Sequence, residues 1–342
     1  MPSSKQSSIS LQFAHDIVRA WFLPNMNSQR DVFKYLGRNT DSGTMTFYRK
    51  QAEEMTGITL PPHNNKYNEV TRIERNNLPP LINRISINND IPYSVLIFSD
   101  AHFEGHETPS FLMMIQILND LVKTRQLKCV IANGDIMDLA ILSTFAKYTL
   151  EIEPQQRTVQ QEILDSQAQL NKIQAIINKS KYPIKQLATF GNHETRLSKF
   201  VSQMGRQFED FEGFKMQNLF PDWEWAMSHI LDDTVIVKHK FRGGIHTGYQ
   251  NSMRAGMNII TGHTHQLAIR SFNTYSNSAM SIQTGHLSQQ YHPYLQDNVP
   301  NDWNNGFAVV TIDPKEKTIH PELVHCSHHF RTTYFRGKKY SV

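Results

Sequence analysis

The sequence predicts an α/β fold, a largely parallel or mixed sheet with helices outside it, preceded by a small helical region. Three observations predict it. From Pro92 onward, short apolar runs alternate with helical patterns in a βαβαβ order. Several of the apolar runs end in aspartate, asparagine or histidine beside a glycine, the place where such sheets carry their functional residues. The stretch before position 60 reads as short helices.

The N-terminal helices are expected over 11–22, ending before Pro24, over 30–36, opened by Ser28 and closed by Gly37, and over 44–55, closed by Gly57. The last two, joined by a polar turn from Gly37 to Gly43, have the outline of a helix-turn-helix whose second helix would offer Thr44, Thr46, Arg49 and Lys50 to a groove. A pair of short helices serves equally well as a packing unit. Residues 61–90, with Pro61-Pro62 and Pro79-Pro80, read as a linker.

The main domain is expected over 91–327. Its first half holds strands at 93–99, 128–133 and 184–190 and helices at 109–125 and around 155–180. In the second helix Val159, Ile163, Leu170, Ile173 and Ile177 recur near helical spacing, so one face should be buried and the segment should form a wall beside the site. Strand-like runs follow at 233–239, 257–261, 279–284, 307–312 and 321–326. Residues 328–342 carry Arg331, Arg336, Lys338 and Lys339 among Phe330, Tyr334, Phe335 and Tyr340, without an acid, and read as a basic aromatic tail suited to nucleic acid. A last strand followed by a solvated tail has the same composition.

A chain of 342 residues with 39% hydrophobic content can bury one sizeable core and a small accessory domain. Its apolar runs are of strand length, too short for a bilayer, so no membrane partner is expected. The first ten residues are Ser-rich and lack the apolar stretch of a secretory signal. Cys129 and Cys326 lie far apart, which suits a reducing, cytoplasmic setting rather than a disulfide framework. A net charge of +4 is too small by itself to argue for a polyanionic partner.

Five clusters carry the chemistry. They are Asp100-Ala101-His102, Gly134-Asp135-Ile136-Met137-Asp138, Gly191-Asn192-His193-Glu194, the strand-ending His239, and Gly262-His263-Thr264-His265. Alternating spacing lets two side chains converge from one extended turn, and the glycines allow the chain to turn there. Carboxylates and imidazoles without cysteine suit manganese, iron, zinc or nickel rather than calcium.

In this order the motifs D-x-H, G-D-x-x-D, G-N-H-E, a strand-terminal histidine and G-H-T-H resemble the calcineurin-like metallophosphoesterase superfamily, over about residues 91–324. The runs 191–197 and 302–309 also resemble a branch common in bacteriophage genomes. The resemblance implies a sandwich of two mixed β-sheets flanked by helices, and two divalent ions, manganese foremost, with iron, zinc, nickel and magnesium as alternatives. One ion would be held by Asp100, His102, Asp135 and His265, the other by Asp135, Asn192, His239 and His263, with a bridging hydroxide as nucleophile. His193 would protonate the leaving oxygen and Asp138 would orient its ring.

The fourth motif could be His239, which ends an apolar strand, or His246 on a glycine-rich loop. His246, Arg196, Lys240 and Arg242 are further candidates for substrate contact, and His286 is expected to pack beside the site. Leu139 follows Asp138, where the phosphoprotein phosphatase branch carries arginine, which argues against a protein phosphatase. A phosphodiesterase or nuclease acting on nucleic acid is the first expectation, and an enzyme for cyclic or other small nucleotides the second. A DNA-binding or assembly protein using the domain as a scaffold is the third. The location would be the cytoplasm, that of the host if the chain is phage-encoded.

Overall fold

The computed structural model describes residues 9–21, 28–38, 41–56, 60, 81–87, 90–142, 157–204, 214–244, 246–275, 278–289 and 302–342. The chain divides into two compact units, Met1–Leu78 and Pro79–Val342.

The first unit holds helices α1 (Leu11–Trp21), α2 (Gln29–Tyr35) and α3 (Ser42–Thr56). Ser28 caps α2, its hydroxyl accepting from the Asp31 N–H, as a serine at that position should. Ile17, Trp21, Phe33, Met45, Ala52 and Leu60 make a core of the unit's own. Arg49, expected to face a groove, instead bonds to the Leu60 carbonyl and to Glu53, and its guanidinium lies 5.5 Å from the centre of the Trp21 ring. It serves the unit's packing.

The second unit contains two mixed six-stranded sheets among the described residues. One runs β12 (Thr318–His325), β11 (Gly306–Asp313), β2 (Tyr93–Phe98), β3 (Leu127–Asn133), β4 (Lys185–Thr189), β5 (Glu224–Ala226). Its strands β2 to β5 are parallel, and β11 and β12 are antiparallel additions. The other runs β1 (Asn83–Ile85), β6 (His229–Leu231), β7 (Val235–Val237), β8 (Asn258–Thr261), β10 (Ser278–Thr284), β9 (Leu267–Asn273). Here β8 is parallel to both β7 and β10.

Alternate residues of the central strands feed two cores. Val95, Ile97, Cys129 and Ile131 meet Val237, Ile260 and Ile282 of the second sheet. Leu96, Phe98, Val130 and Ala132 point the other way, onto Met113, Met114 and Ile117 of α4 (Pro109–Leu121) and Leu170 and Ile173 of α5 (Val159–Ile177). Burial on both faces is why these strands read as unbroken apolar runs. The cysteines are free and fall in different cores, Cys129 between the sheets and Cys326 beneath the helices.

Three expectations are corrected. Of the stretch read as a linker, 61–80 lies outside the described residues, but 83–85 form strand β1, paired in parallel with β6. The basic aromatic tail is a hairpin, β13 (Thr332–Phe335) and β14 (Lys338–Ser341), turning at Arg336-Gly337. Phe335 and Tyr340 enter the helix-side core, while Arg336 pairs with Glu322 and Lys338 with Asp120. Helix α5 buries Glu162 and Ser166 in its first half, where Val159 and Ile163 are only partly covered, and Gln169 just beyond it. No helix among the described residues is long and apolar enough to cross a membrane.

Candidate metal centre

Five strands deliver their carboxyl ends to one place: β2, β3 and β4 from one sheet, β7 and β8 from the other. After β2, the Asp100 carboxylate accepts from Ser99 Oγ at 2.6 Å and from the His263 N–H at 2.9 Å, and its Oδ1 lies 3.2 Å from His265 Nε2. After β3, Asp135 Oδ1 accepts from the His193 N–H at 2.9 Å, and Oδ2 stands 3.1 Å from His239 Nε2. His239 Nδ1 donates to the Asn133 carbonyl at 2.8 Å, so in the neutral ring Nε2 keeps a lone pair aimed at the carboxylates. Imidazole ligands are commonly oriented in this way.

The candidate ligands thus gather into overlapping groups. Asp100, His102 and His265 form one, and Asp135, His239 and His263 another, each with ligand atoms within 4.8 Å of one another. Asp135 also groups with His102 and His193, which places it between the two sets. The Asn192 Oδ1 is buried without a hydrogen-bond partner. Of the two histidines competing for the fourth motif, His239 lies in the cluster, while His246 sits at the start of α8 (Thr247–Ala255, the helix after the short α7, Met216–Leu219), exposed, lining a neighbouring groove.

Burial would raise both aspartates, yet the facing histidines hold Asp100 and Asp135 well below the usual carboxylate range. Burial likewise opposes charge on His239, but Asp135 and Asp100 outweigh it and push the ring up to about 10. His102 is pushed up to about 9, burial again being overcome, here chiefly by the Asp138 carboxylate. His263 goes the other way, down to about 4, because of burial and the neighbouring His239 and Lys240. A dry pocket with two ionised carboxylates, an orphaned amide oxygen and imidazoles held by carboxylate fields fits divalent cations.

The backbone bends sharply to achieve this. Asp100, His102, Asp135, His263 and His265 all have left-handed φ values between 40° and 70°. Gly134, at φ 74°, has no room for a side chain: a Cβ there would stand 2.7 Å from the His239 ring.

Beside the ligands, Asp138 faces His193, and Arg196 Nη1 donates to the Asp138 carbonyl at 2.8 Å. Arg196 is therefore part of this network rather than a solvated cation. Lys240 and Arg242 are exposed, and Arg242 lies 5.7 Å from the Phe241 ring centre. His286 is fully buried and stacks on His265 with ring centres 5.0 Å apart, as expected of a packing residue.

Three residues given no role by the sequence matter here. The buried Glu194 carboxylate accepts from the N–H groups of Asp135, Ile136, Met137 and Gly191, tying two ligand loops together at the start of α6 (Glu194–Met204). Its place in the G-N-H-E run was the available signal. Glu162 of α5 accepts from the Leu139 N–H, just after Asp138, and burial pushes its carboxyl up to about 7. Trp303 packs on His265 with centres 4.1 Å apart.

No family model matches the chain. The Gene 54 protein of Mycobacterium phage L5 is 25% identical over 256 residues, 67% of this chain and 92% of that protein. A solved structure of a conserved uncharacterized protein from Streptococcus pneumoniae, described as a predicted phosphoesterase, aligns at a TM-score of 0.31 and 12% identity, covering 74% of this chain and 99% of the other. A protein serine/threonine phosphatase from Saccharomyces cerevisiae aligns at 0.35 and 11%, covering 81% and 95%.

Proposed function

We propose that the chain is a phosphodiesterase dependent on two divalent metal ions, with nucleic acid or a nucleotide as its substrate. The observation that carries the reading is the position of Asp135 between the Asp100, His102, His265 group and its own group with His239 and His263, with the orphaned Asn192 oxygen nearby. In this reading Asp100, His102, Asp135 and His265 hold one ion, and Asp135, Asn192, His239 and His263 the other. Two such ions, manganese foremost, would lower the pKa of water and neutralise phosphate oxygens during in-line attack. His193, anchored through Nδ1 on Asp138, would supply a proton from Nε2 to the leaving oxygen once Arg196 Nη2, 3.2 Å from that nitrogen, turns aside.

The test is hydrolysis in manganese of a generic phosphodiester, a generic phosphomonoester, cyclic nucleotides and labelled single- and double-stranded DNA. Turnover of the diester that is abolished by chelation and restored by manganese supports the reading. Absence of turnover on every ester by metal-loaded protein overturns it. A second reading, an enzyme for small nucleotides, is favoured by the internal pairing of Arg336 and Lys338, which removes two cations from the case for a polymer. Cleavage of cyclic nucleotides with DNA left intact would select it.

A further inference from the structure

A polar cavity of about 460 Å³ adjoins the metal centre, lined by Tyr249, Gln266, Arg270, Gln283, Asp302 and Asn304. One wall is the loop that carries two candidate ligands. Gln283 Nε2 donates to Thr264 Oγ1 at 2.6 Å, between His263 and His265, and the Asn304 N–H donates to the His265 carbonyl at 2.9 Å. The opposite wall is the first turn of α8. There Gly248 lets the helix approach the sheet, since a Cβ would stand 2.9 Å from both Arg270 Cγ and Gln283 Oε1. Tyr249 is 48% exposed, and its ring is braced by Phe272, centres 5.7 Å apart at 79°.

The chemistry of this lining is selective. Bare phosphate needs neither this volume nor an aromatic ring, and it would be repelled by Asp302. An apolar ligand would take water away from the polar edges that Gln266, Gln283 and Asn304 present to the groove. A nucleoside matches on each count: an aromatic face for Tyr249, donor and acceptor edges for the amides, and hydroxyls for Asp302. Bases are commonly held by such stacking with edge contacts. The volume lies in the range of pockets for small ligands, roughly 300 to 1,000 Å³. We propose that the groove is a subsite for the nucleoside attached to the scissile phosphate, with Tyr249 as its stacking platform and Arg270 and Asp302 at its rim. The proposal rests on the phosphodiesterase reading for the phosphate's position.

The experiment compares thymidine 5′-p-nitrophenyl phosphate with methyl p-nitrophenyl phosphate, which leaves the groove empty, in wild type, Tyr249→Ala and Arg270→Ala with manganese. The KM for the thymidine ester should rise about tenfold or more in Tyr249→Ala, the size of one lost base stack, while kcat and the methyl ester change little. Equal losses on both esters, or none on either, would overturn the subsite. Calorimetry with thymidine 5′-methylphosphonate and methylphosphonic acid separates this from failure of the enzymatic reading. Even if no ester is turned over, the nucleoside compound should bind more tightly, an advantage lost in Tyr249→Ala. Equal affinities for the two compounds reject the groove whatever the activity.

Discussion

Asp138 holds the His193 ring twice, its backbone carbonyl 2.6 Å and its Oδ1 2.9 Å from His193 Nδ1. Both contacts use the same nitrogen, while Nε2 accepts from Arg196 Nη2 at 3.2 Å, so in the proposed reading the guanidinium must turn aside for Nε2 to exchange a proton with substrate. His193→Ala should keep both metals and the fold while losing on the order of 10² to 10⁴ in rate on esters whose leaving oxygen needs a proton. A nitrophenyl ester should suffer less. Metal analysis of the purified variant is decisive, because His193 also groups with His102 and Asp135. A site emptied of metal would make it a ligand.

Asn192 and His193 are neighbours with separable losses. Asn192→Ala removes the orphaned oxygen, so one metal should bind more weakly and every ester should be cleaved more slowly, with recovery at high manganese. Full occupancy at low manganese, measured by elemental analysis, would remove Asn192 from the ligand set.

In the proposed reading protons and metal ions would compete for His239. In the metal-free protein its pKa is pushed up to about 10, above the ordinary 6.5, by Asp135 and Asp100 against the opposing effect of burial. The pairing therefore stabilises the fold fully below the ordinary value and is lost as pH rises toward the raised one. Ligation requires the neutral ring. Metal-free protein should thus lose thermal stability from about pH 6.5 to about pH 10, and the rise in Tm given by manganese should grow over that interval. A manganese shift that is constant with pH would contradict this.

Glu162 acts on the site through the backbone. Glu162→Ala leaves buried the N–H of Leu139, itself a left-handed residue at φ 50°, and should loosen the turn that aims Asp138. Loss of such a bond costs roughly 1 to 3 kcal/mol, and kcat on unactivated esters should fall about tenfold with manganese content unchanged. Glu162→Gln keeps an acceptor oxygen and should restore most of the rate. Equal defects in the two variants would argue that the carboxylate's charge matters instead.

The N-terminal unit has its own core, so it should be separable from the chemistry. Removing residues 1–78 should leave turnover of a chromogenic diester within a few-fold while weakening use of DNA. Loss of both activities together would make the unit an integral part of the catalytic fold.

The strands that carry the candidate ligands were legible because they are buried on both faces and end in short-range motifs. Other elements left no comparable trace. Strands β1, β5 and β6 are three residues long, and β9 alternates weakly because much of it is exposed. The hairpin at 332–341 read as solvated because its partners, Glu322 and Asp120, lie far away in sequence or on another element. Glu162 broke the apolar spacing of α5, and only the fold could reveal that a backbone N–H awaited it. Arg49 was misplaced for a similar reason, since Trp21 and Leu60 reach it through tertiary packing.

The left-handed backbone at Asp100, His102, Asp135, His263 and His265 has an evolutionary side. Each non-glycine residue held there costs about 1 kcal/mol or more, and glycine would relieve most of it. A lineage with no further use for the chemistry would relieve that cost most readily at His263, whereas Asp100 and Asp135 also accept buried backbone N–H bonds that glycine would forfeit. The same arithmetic means that His263→Gly should yield metal-free protein that melts higher than the metal-free parent, a hardier chain bought with a weakened site.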